Sequence, residues 1–202
     1  MLQHSDLIAA LKSVPRITIH GPWSRCIEYA LTKGPPPGRA PGSPAGPLWP
    51  GGAVLSGARF TPRGSFSTLY LASDKVTALI EIGSIFSHAG LVSTTIATNP
   101  AVVFAVDGVL TDVVDLTDEA IQKAIGTSTQ ELTGAWRLSP SSPTHECGQA
   151  AFDCGVITAL KFPSSKHAGA WCLAIFTDRL TLNPANFVEV VDSTSSLAQR
   201  LP

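Results

Sequence analysis

The stretch Gly57–Ile82, GARFTPRGSFSTLYLASDKVTALIEI, decides the fold. Its first part is a loop of glycine, proline and small residues that carries Arg59 and Arg63. The apolar run Leu69–Ala72 follows, and its length suits one β-strand. We therefore predict an arginine-bearing loop that leads directly into a short strand.

A helix is predicted to follow this strand. Ser73 and Asp74 are typical of a helix N-cap, because their side chains accept hydrogen bonds from the amides of the first turn. Ala78 and Ile82 then recur at helical spacing. Glu81 stands beside the face that should be buried, and a buried carboxylate is costly unless it is paired or used. The unit thus presents an arginine loop, a strand tyrosine and a helix glutamate.

The composition limits the classes of function. The length of 202 residues suits a single domain over residues 1–202, and 44% hydrophobic residues are enough for a sizeable core. A net charge of −1 argues against nucleic-acid binding, which normally needs a basic surface. Only 14% of the residues are charged. Either part of the surface meets a partner or the surface is rich in uncharged loops, and both remain open.

The cysteines indicate a reducing compartment. None of the four stands in a Cys-x-x-Cys pair, and we find no secretory signal and no stretch long enough to span a membrane. We therefore expect a cytoplasmic protein with reduced, buried cysteines: Cys26, Cys147, Cys154 and Cys172. No Cys/His cluster has metal-ligand spacing, so we expect no metal.

Further elements follow from periodicity and turn residues. We predict an N-terminal extension over residues 1–20, with a helix from Ser5 to Ser13 that is capped by Ser5 and Asp6. Residues 34–52 are rich in proline and glycine, and we predict no packed element there. The other predicted elements are the strands Val102–Val106, Val113–Leu116, Val156–Phe162 and Trp171–Phe176 and the helices Thr117–Ile125 and His145–Asp153.

The central stretch resembles the RES-domain family, the toxin half of RES–Xre toxin–antitoxin pairs. That family has Gly-Gly-Arg-Trp-Asn, then a Leu-Tyr-Leu-Ala strand, then Ala-Leu-x-Glu. Arg59, Tyr70 and Glu81 match these motifs as they stand. Three positions of the first motif differ: Ala58, Phe60 and Thr61.

Other motifs resemble the same family in the same order, from about residue 23 to residue 192. The early arginine of the family matches Arg25. The run 115–136 resembles a second family motif, which we interpret as scaffold with Trp136 as a packing anchor. The serine of the family's Val-Pro-Ser turn matches Ser164.

The resemblance implies a single α+β domain with a small mixed β core and flanking helices, similar to the ADP-ribosyltransferases of the diphtheria-toxin kind. It implies NAD⁺ as substrate, with no cofactor, and cleavage between nicotinamide and ribose. That reaction needs a carboxylate beside an oxocarbenium-like carbon, guanidinium groups for the pyrophosphate and an apolar face for nicotinamide. The matching residues are Glu81, Arg25 and Tyr70 as catalytic residues, and Arg59, Ser164, Arg63 and Ser65 as substrate-binding residues.

Each residue also has a structural interpretation. Glu81 paired with Arg59 would be structural, Tyr70 on a strand is usually a core residue, and Ser164 in a Pro-Ser-Ser turn is often only a turn residue. The residues leave the acceptor of the ADP-ribosyl group open among water, phosphate and a protein side chain.

Rival functions also remain open. The departures at Ala58 and Thr61, and Cys26 where many members have an aromatic residue, favour a non-catalytic binding module. The slightly acidic charge disfavours a nuclease. The expected partners are an Xre-like helix-turn-helix antitoxin, NAD⁺ and a second copy of the chain, without direct DNA binding or a membrane. The loop 34–52 is either a lid, an antitoxin contact or a disordered insertion.

Overall fold

The computed structural model describes residues 1–32, 46–83, 100–138, 142–192 and 196–202, and the backbone of residues 86–88 and 91–93. The helices are α1 (His4–Ser13), α2 (Gly51–Ser56), α3 (Lys75–Ile82), α4 (Glu119–Ala124), α5 (Thr129–Thr133) and α6 (Pro143–Asp153). The strands are β1 (Ile17–His20), β2 (Trp23–Glu28), β3 (Thr68–Ala72), β4 (Phe86–His88), β5 (Leu91–Ser93), β6 (Ala101–Asp115), β7 (Ala159–Pro163), β8 (Trp171–Phe176), β9 (Phe187–Val190) and β10 (Gln199–Leu201).

The larger sheet is built around β6, a strand of 15 residues. Its order is β10-β9-β6-β2-β3-β8-β7, and β1 also pairs with β6. The last residues of β6, Val113–Asp115, pair in parallel with β7, so β6, β2, β3, β8 and β7 form a closed circuit. Helices flank this mixed sheet, and the predicted α+β class is confirmed.

One strand pairing in this closed circuit is short, and it determines where a cavity opens. β2 pairs with β6 over six residues and β3 pairs with β8 over five. In contrast, β2 and β3 pair with each other only through Ser24 and Ala72. The side chains along the rest of this seam therefore have room to face a ligand. Arg25 on β2 and Tyr70 on β3 lie there.

Helix α3 forms as the sequence predicts. Asp74 is its N-cap, and the carboxylate accepts the amides of Val76 and Thr77 at 2.9 Å each. Gly83 ends the helix with a φ of 81°, a left-handed conformation that glycine adopts without strain. Because α3 packs on β2, Glu81 in its last turn comes close to the seam.

The core lies on both faces of the sheet, as β8 shows. Leu173 and Ile175 belong to one buried cluster, whereas Cys172, Ala174 and Phe176 belong to the other. This alternation is the period of two that a strand buried on both faces requires. The second face is covered by α1 and α6, whose buried side chains join the same cluster as Phe176.

Two predicted boundaries at the ends of the chain need correction. The N-terminal helix begins at His4, and its N-cap is Gln3 instead of the predicted Ser5 and Asp6. Gln3 contributes its carbonyl, which accepts the amide of Leu7 at 2.8 Å, and Leu7 is fully buried. Packing of the apolar face therefore extends the helix past the polar pair.

The two strands predicted within residues 102–116 are one continuous strand, β6, so that prediction is wrong. The residues between them resemble a turn, but Gly108 is needed where β6 meets β9. A Cβ atom there would lie 2.3 Å from the carbonyl oxygen of Phe187. Asp112 adopts a φ of 55°, and β6 continues through this local distortion to Asp115.

Two further predictions are wrong in part. β7 begins at Ala159 instead of Val156, which is 43% exposed. The prediction that residues 34–52 contain no packed element is wrong at the end of this range, because Leu48 is fully buried and α2 begins at Gly51. Residues 34–45 of that loop lie outside the described residues.

The predicted burial of the four cysteines is confirmed. Within the described ranges, no helix combines the length and apolar character that crossing a bilayer demands.

Candidate active site

A cavity of about 490 Å³ opens at the seam between β2 and β3. This volume falls within the usual range of small-molecule sites, roughly 300–1,000 Å³. Four cationic side chains and one carboxylate line it among the described residues: Arg25, Arg59, Arg137, Lys166 and Glu81. In a chain whose net charge is −1, this local excess of positive charge favours an anionic ligand.

Glu81 is held in place by a serine beside the cavity. The Ser164 hydroxyl donates to Oε1 of Glu81 at 2.5 Å. The Ser164 oxygen in turn accepts the amides of Lys166 at 3.3 Å and His167 at 3.0 Å. A serine hydroxyl has two lone pairs and one proton, so the amides occupy the lone pairs and the proton is left for Glu81. One oxygen of the carboxylate is therefore fixed while the residue borders the cavity.

Arg59 is tied to the protein by three hydrogen bonds. Its Nη1 donates to the carbonyl oxygens of Leu132 and Gly134 at 2.8 Å each, and Nη2 donates to Ser165 Oγ at 2.7 Å. Burial lowers the pKa of Arg59 below its usual value, and the nearby charge of Glu81 partly offsets this effect. Both residues are described, and no direct salt bridge joins them, so the structural ion pair considered from the sequence is absent.

Arg25 is held more loosely than Arg59. Its Nη2 donates to the carbonyl oxygen of Trp49 at 2.8 Å. Its Nη1 is buried and has no hydrogen-bond partner in the part of the chain that the structure describes. Burial lowers the pKa of Arg25 to about 10, so the guanidinium remains charged at neutral pH. A buried, charged donor without a partner, at a cavity, is suited to an anionic ligand.

Tyr70 connects the strand to the arginine loop. Its hydroxyl accepts the amide of Phe60 at 2.9 Å and shares a hydrogen bond with Thr61 Oγ1, also at 2.9 Å. Burial raises the pKa of Tyr70, so the phenol is neutral. The ring borders the cavity and meets Phe162 edge-on. Thr61, a departure from the family motif, therefore belongs to the structure that positions the loop.

The structure also brings residues to the cavity that the sequence analysis did not assign to the site. Trp136, predicted as a packing anchor, borders the cavity. Its ring meets His145 at 5.4 Å, and the Arg137 guanidinium lies 5.0 Å from its centroid. His145 Nε2 donates to the Ala58 carbonyl oxygen at 3.0 Å and so supports the arginine loop. In the sequence, the only sign that these residues belong to the site is a tryptophan followed directly by an arginine, Trp136 and Arg137.

Three predicted residues lie in surroundings that differ from those expected. Ser164 binds Glu81, and the neighbouring Ser165 makes the contact with an arginine. Arg63 and Ser65 are exposed and do not line the cavity, and the Ser65 hydroxyl donates to the carbonyl oxygen of Pro62. Sequence spacing alone does not show which of two neighbouring serines in a turn contacts Glu81 and which contacts Arg59.

Other features of the described residues do not compete with this cavity. A shallow hollow of about 690 Å³ lies between α4 and α5, but its lining brings together no carboxylate held by a hydroxyl and no buried cation. Cys26 lines the seam cavity, where burial raises the pKa of its thiol to about 11 and keeps it neutral. Across the described ranges, no three His, Cys, Asp or Glu side chains come together as a metal site would require.

Comparisons with known proteins concern the family and the fold. The model of the RES domain family matches residues 36–195. A comparison with curated proteins gives no match. Among solved structures, the fold is similar to a chain in the crystal structure of the M. tuberculosis MbcT–MbcA toxin–antitoxin complex. The TM-score is 0.65 at 18% sequence identity, and the similarity covers 93% of this chain and 90% of that one.

Proposed function

The chain belongs to the RES domain family, and we propose that it is the toxin of a bacterial toxin–antitoxin pair that consumes NAD⁺ in the cytoplasm. The resemblance to ADP-ribosyltransferases implies NAD⁺ as the substrate. One observation carries the proposal: a single carboxylate, Glu81, is fixed by Ser164 at a cavity whose other charged lining residues, among those the structure describes, are all cations. An anionic dinucleotide that must develop positive charge at one carbon needs both features.

The reaction begins with cleavage between the nicotinamide nitrogen and C1′ of ribose. The bonding electron pair moves to the nitrogen, which neutralises the pyridinium ring, and C1′ becomes oxocarbenium-like. Glu81 stabilises this positive charge, because its orientation is already set by Ser164 and needs no rearrangement. The nucleophilic atom of the acceptor then bonds to C1′, and where that atom carries a proton, as in water, the proton is released to solvent.

The cations of the cavity hold the other end of the substrate. The unpartnered Nη1 of Arg25 donates to the pyrophosphate, and Arg137 and Lys166 add positive charge at the cavity lining. Arg59 uses three of its hydrogen-bonding positions on the protein, so it contributes mainly charge and shape. The ring of Tyr70 provides the apolar face for nicotinamide.

Neutralisation would come from a cognate antitoxin. The solved structure with a similar fold is named as a toxin–antitoxin complex, which supports an antitoxin as partner here. We propose that an Xre-like antitoxin with a helix-turn-helix covers the cavity and excludes NAD⁺. The chain's slightly acidic charge leaves DNA binding to that partner.

The test is release of free nicotinamide by the purified protein and by Glu81→Gln. The substitution keeps the shape of the side chain but removes its charge, so we expect the rate to fall by roughly 10²–10³-fold, the range seen when one electrostatic stabiliser is lost. The matched control is Glu119→Gln, an exposed residue of α4 outside the cavity, which should retain wild-type activity.

The products identify the acceptor. ADP-ribose with water alone indicates a glycohydrolase, ADP-ribose 1-phosphate with added phosphate indicates a phosphorylase, and label on protein in cell extract indicates an ADP-ribosyltransferase. If wild type releases no nicotinamide under any of these conditions, the enzyme proposal fails. NAD⁺ that binds without turnover would then support the binding-module alternative.

A further inference from the structure

One turn contacts helix α3 at both of its ends. The β7–β8 turn comprises residues 164–170 and joins the two strands. At the last turn of α3, Ser164 donates to Glu81. At the first turn, His167 Nδ1 lies 2.8 Å from Thr77 Oγ1. Thr77 and Glu81 are four residues apart, so they lie on the same helix face and both point toward this turn.

The direction of the His167 contact follows from Asp74. The Thr77 hydroxyl donates its proton to Asp74 Oδ2 at 2.7 Å. Burial raises the pKa of Asp74, but hydrogen bonds from Thr77, Ser73 and Val76 outweigh it and hold that pKa below its ordinary value. The carboxylate is therefore ionised and acts only as an acceptor. Thr77 has no second proton, so His167 must donate to it from a protonated Nδ1.

His167 also reaches the catalytic carboxylate through its backbone. Its amide donates a hydrogen bond to Ser164 Oγ at 3.0 Å, and the Ser164 hydroxyl donates one to Glu81 Oε1. A separate hydrogen bond runs from Lys166 Nζ to the carbonyl oxygen of Glu81. One residue thus bonds the first turn of α3 with its side chain and supports the serine at the last turn with its amide.

We propose that His167 is a positioning residue, whose Nδ1–H bond to Thr77 sets the β7–β8 turn against α3 and so keeps Ser164 on Oε1 of Glu81. The kinetic consequence rests on the proposed function. The structural link between Thr77, His167 and Ser164 stands apart from it. Neither the spacing of the motif residues nor the type of residue at 167 would reveal this link, because Thr77 is 90 positions away.

The test compares His167→Leu, which removes the donor, with His167→Asn, whose amide nitrogen replaces Nδ1. His20→Leu is the matched control, because His20 is an exposed histidine of β1 outside the cavity. For each protein, kcat and KM for nicotinamide release are measured, together with amide hydrogen exchange of residues 75–83 and 164–170. Thermal unfolding shows whether each variant is folded.

We expect His167→Leu to lower kcat by on the order of 10- to 100-fold, with KM changed less than about twofold, because the carboxylate is misplaced while the binding cations stay. Exchange in both segments should become faster. His167→Asn should restore both, and the control should match wild type. If His167→Leu leaves exchange and kcat unchanged, or if His167→Asn loses as much as His167→Leu, the inference is overturned. If the wild type releases no nicotinamide but His167→Leu exchanges faster than wild type, the link between Thr77, His167 and Ser164 is supported and the proposed function is refuted.

Discussion

The two sides of the cavity differ in how their polar groups are satisfied. The clamped side consists of the loop 57–61, the β7–β8 turn and Tyr70 of β3. On it, Arg59 makes three hydrogen bonds, Ser164 makes three, and the hydroxyl of Tyr70 makes two. The open side is β2, where Arg25 makes one hydrogen bond and buries a second nitrogen without a partner among the described residues.

This difference separates the groups that orient Glu81 from the group that is available to bind an anion. Groups that are satisfied by the protein need no rearrangement when a ligand arrives, and they hold the Glu81 carboxylate in one orientation. A buried cation that lacks a partner is unfavourable in the free protein and gains most from an anion. We therefore assign preorganisation to the clamped side and anion binding to the open side.

Replacing Arg25 should give the largest effect on affinity. Removing one partner of a buried charged hydrogen bond costs roughly 2–5 kcal/mol, so Arg25→Met should weaken NAD⁺ binding at least about 30-fold. Thermal stability should stay the same or rise, because a buried charge with an unpaired donor is removed. Isothermal titration in a Glu81→Gln background measures the affinity without turnover.

Arg16→Met provides the control for loss of an arginine. Arg16 is exposed and lies outside the cavity lining, so its loss should leave NAD⁺ affinity unchanged. A drop in stability without a change in affinity for Arg25→Met would reverse the assignment of the two sides.

Replacing Arg59 should lower the stability of the fold, in contrast to the replacement of Arg25. Arg59→Met leaves the carbonyl oxygens of Leu132 and Gly134 and the hydroxyl of Ser165 without their charged donor. The expected cost is about 2 kcal/mol of unfolding free energy, or roughly 4–8 °C in Tm for a domain of this size. Circular dichroism during heating measures it.

Arg59→Lys sharpens this prediction. A single ammonium does not reproduce the fork of a guanidinium, so the lysine variant should recover less than half of the lost stability. If lysine restores wild-type Tm, charge alone explains the effect and the clamp of three directed hydrogen bonds is refuted.

Local chemistry made part of this site predictable. The cap at Asp74 depends on residues two and three positions away, and the spacing of α3 follows from the same short range. Glu81 stood out because a carboxylate beside an apolar helix face is costly without a use. The strand at Tyr70 was equally clear.

Long-range contacts explain what the sequence did not reveal. Ser164 and Ser165 are neighbours with the same chemistry, and only the fold directs one to Glu81 and the other to Arg59. The prediction of two strands missed the role of Gly108, because nothing local shows that β9 pairs with β6 at that point. His167 stayed unnoticed for the same reason, since its partner Thr77 is distant in the chain.

Replacing Tyr70 should have the smallest of these effects and tests whether the clamp includes the strand. Tyr70→Phe keeps the ring but leaves the amide of Phe60 and the hydroxyl of Thr61 without a partner, and both residues are fully buried. An unsatisfied buried group costs roughly 1–3 kcal/mol, and because Thr61 can turn its hydroxyl elsewhere we expect about 1 kcal/mol, measured by urea unfolding. Thr61→Val in the same background is the discriminating control: if Thr61 contributes only through Tyr70, the double variant loses less than the sum of the single losses. Additive losses would show that the two hydroxyls are independent and that the strand is not part of the clamp.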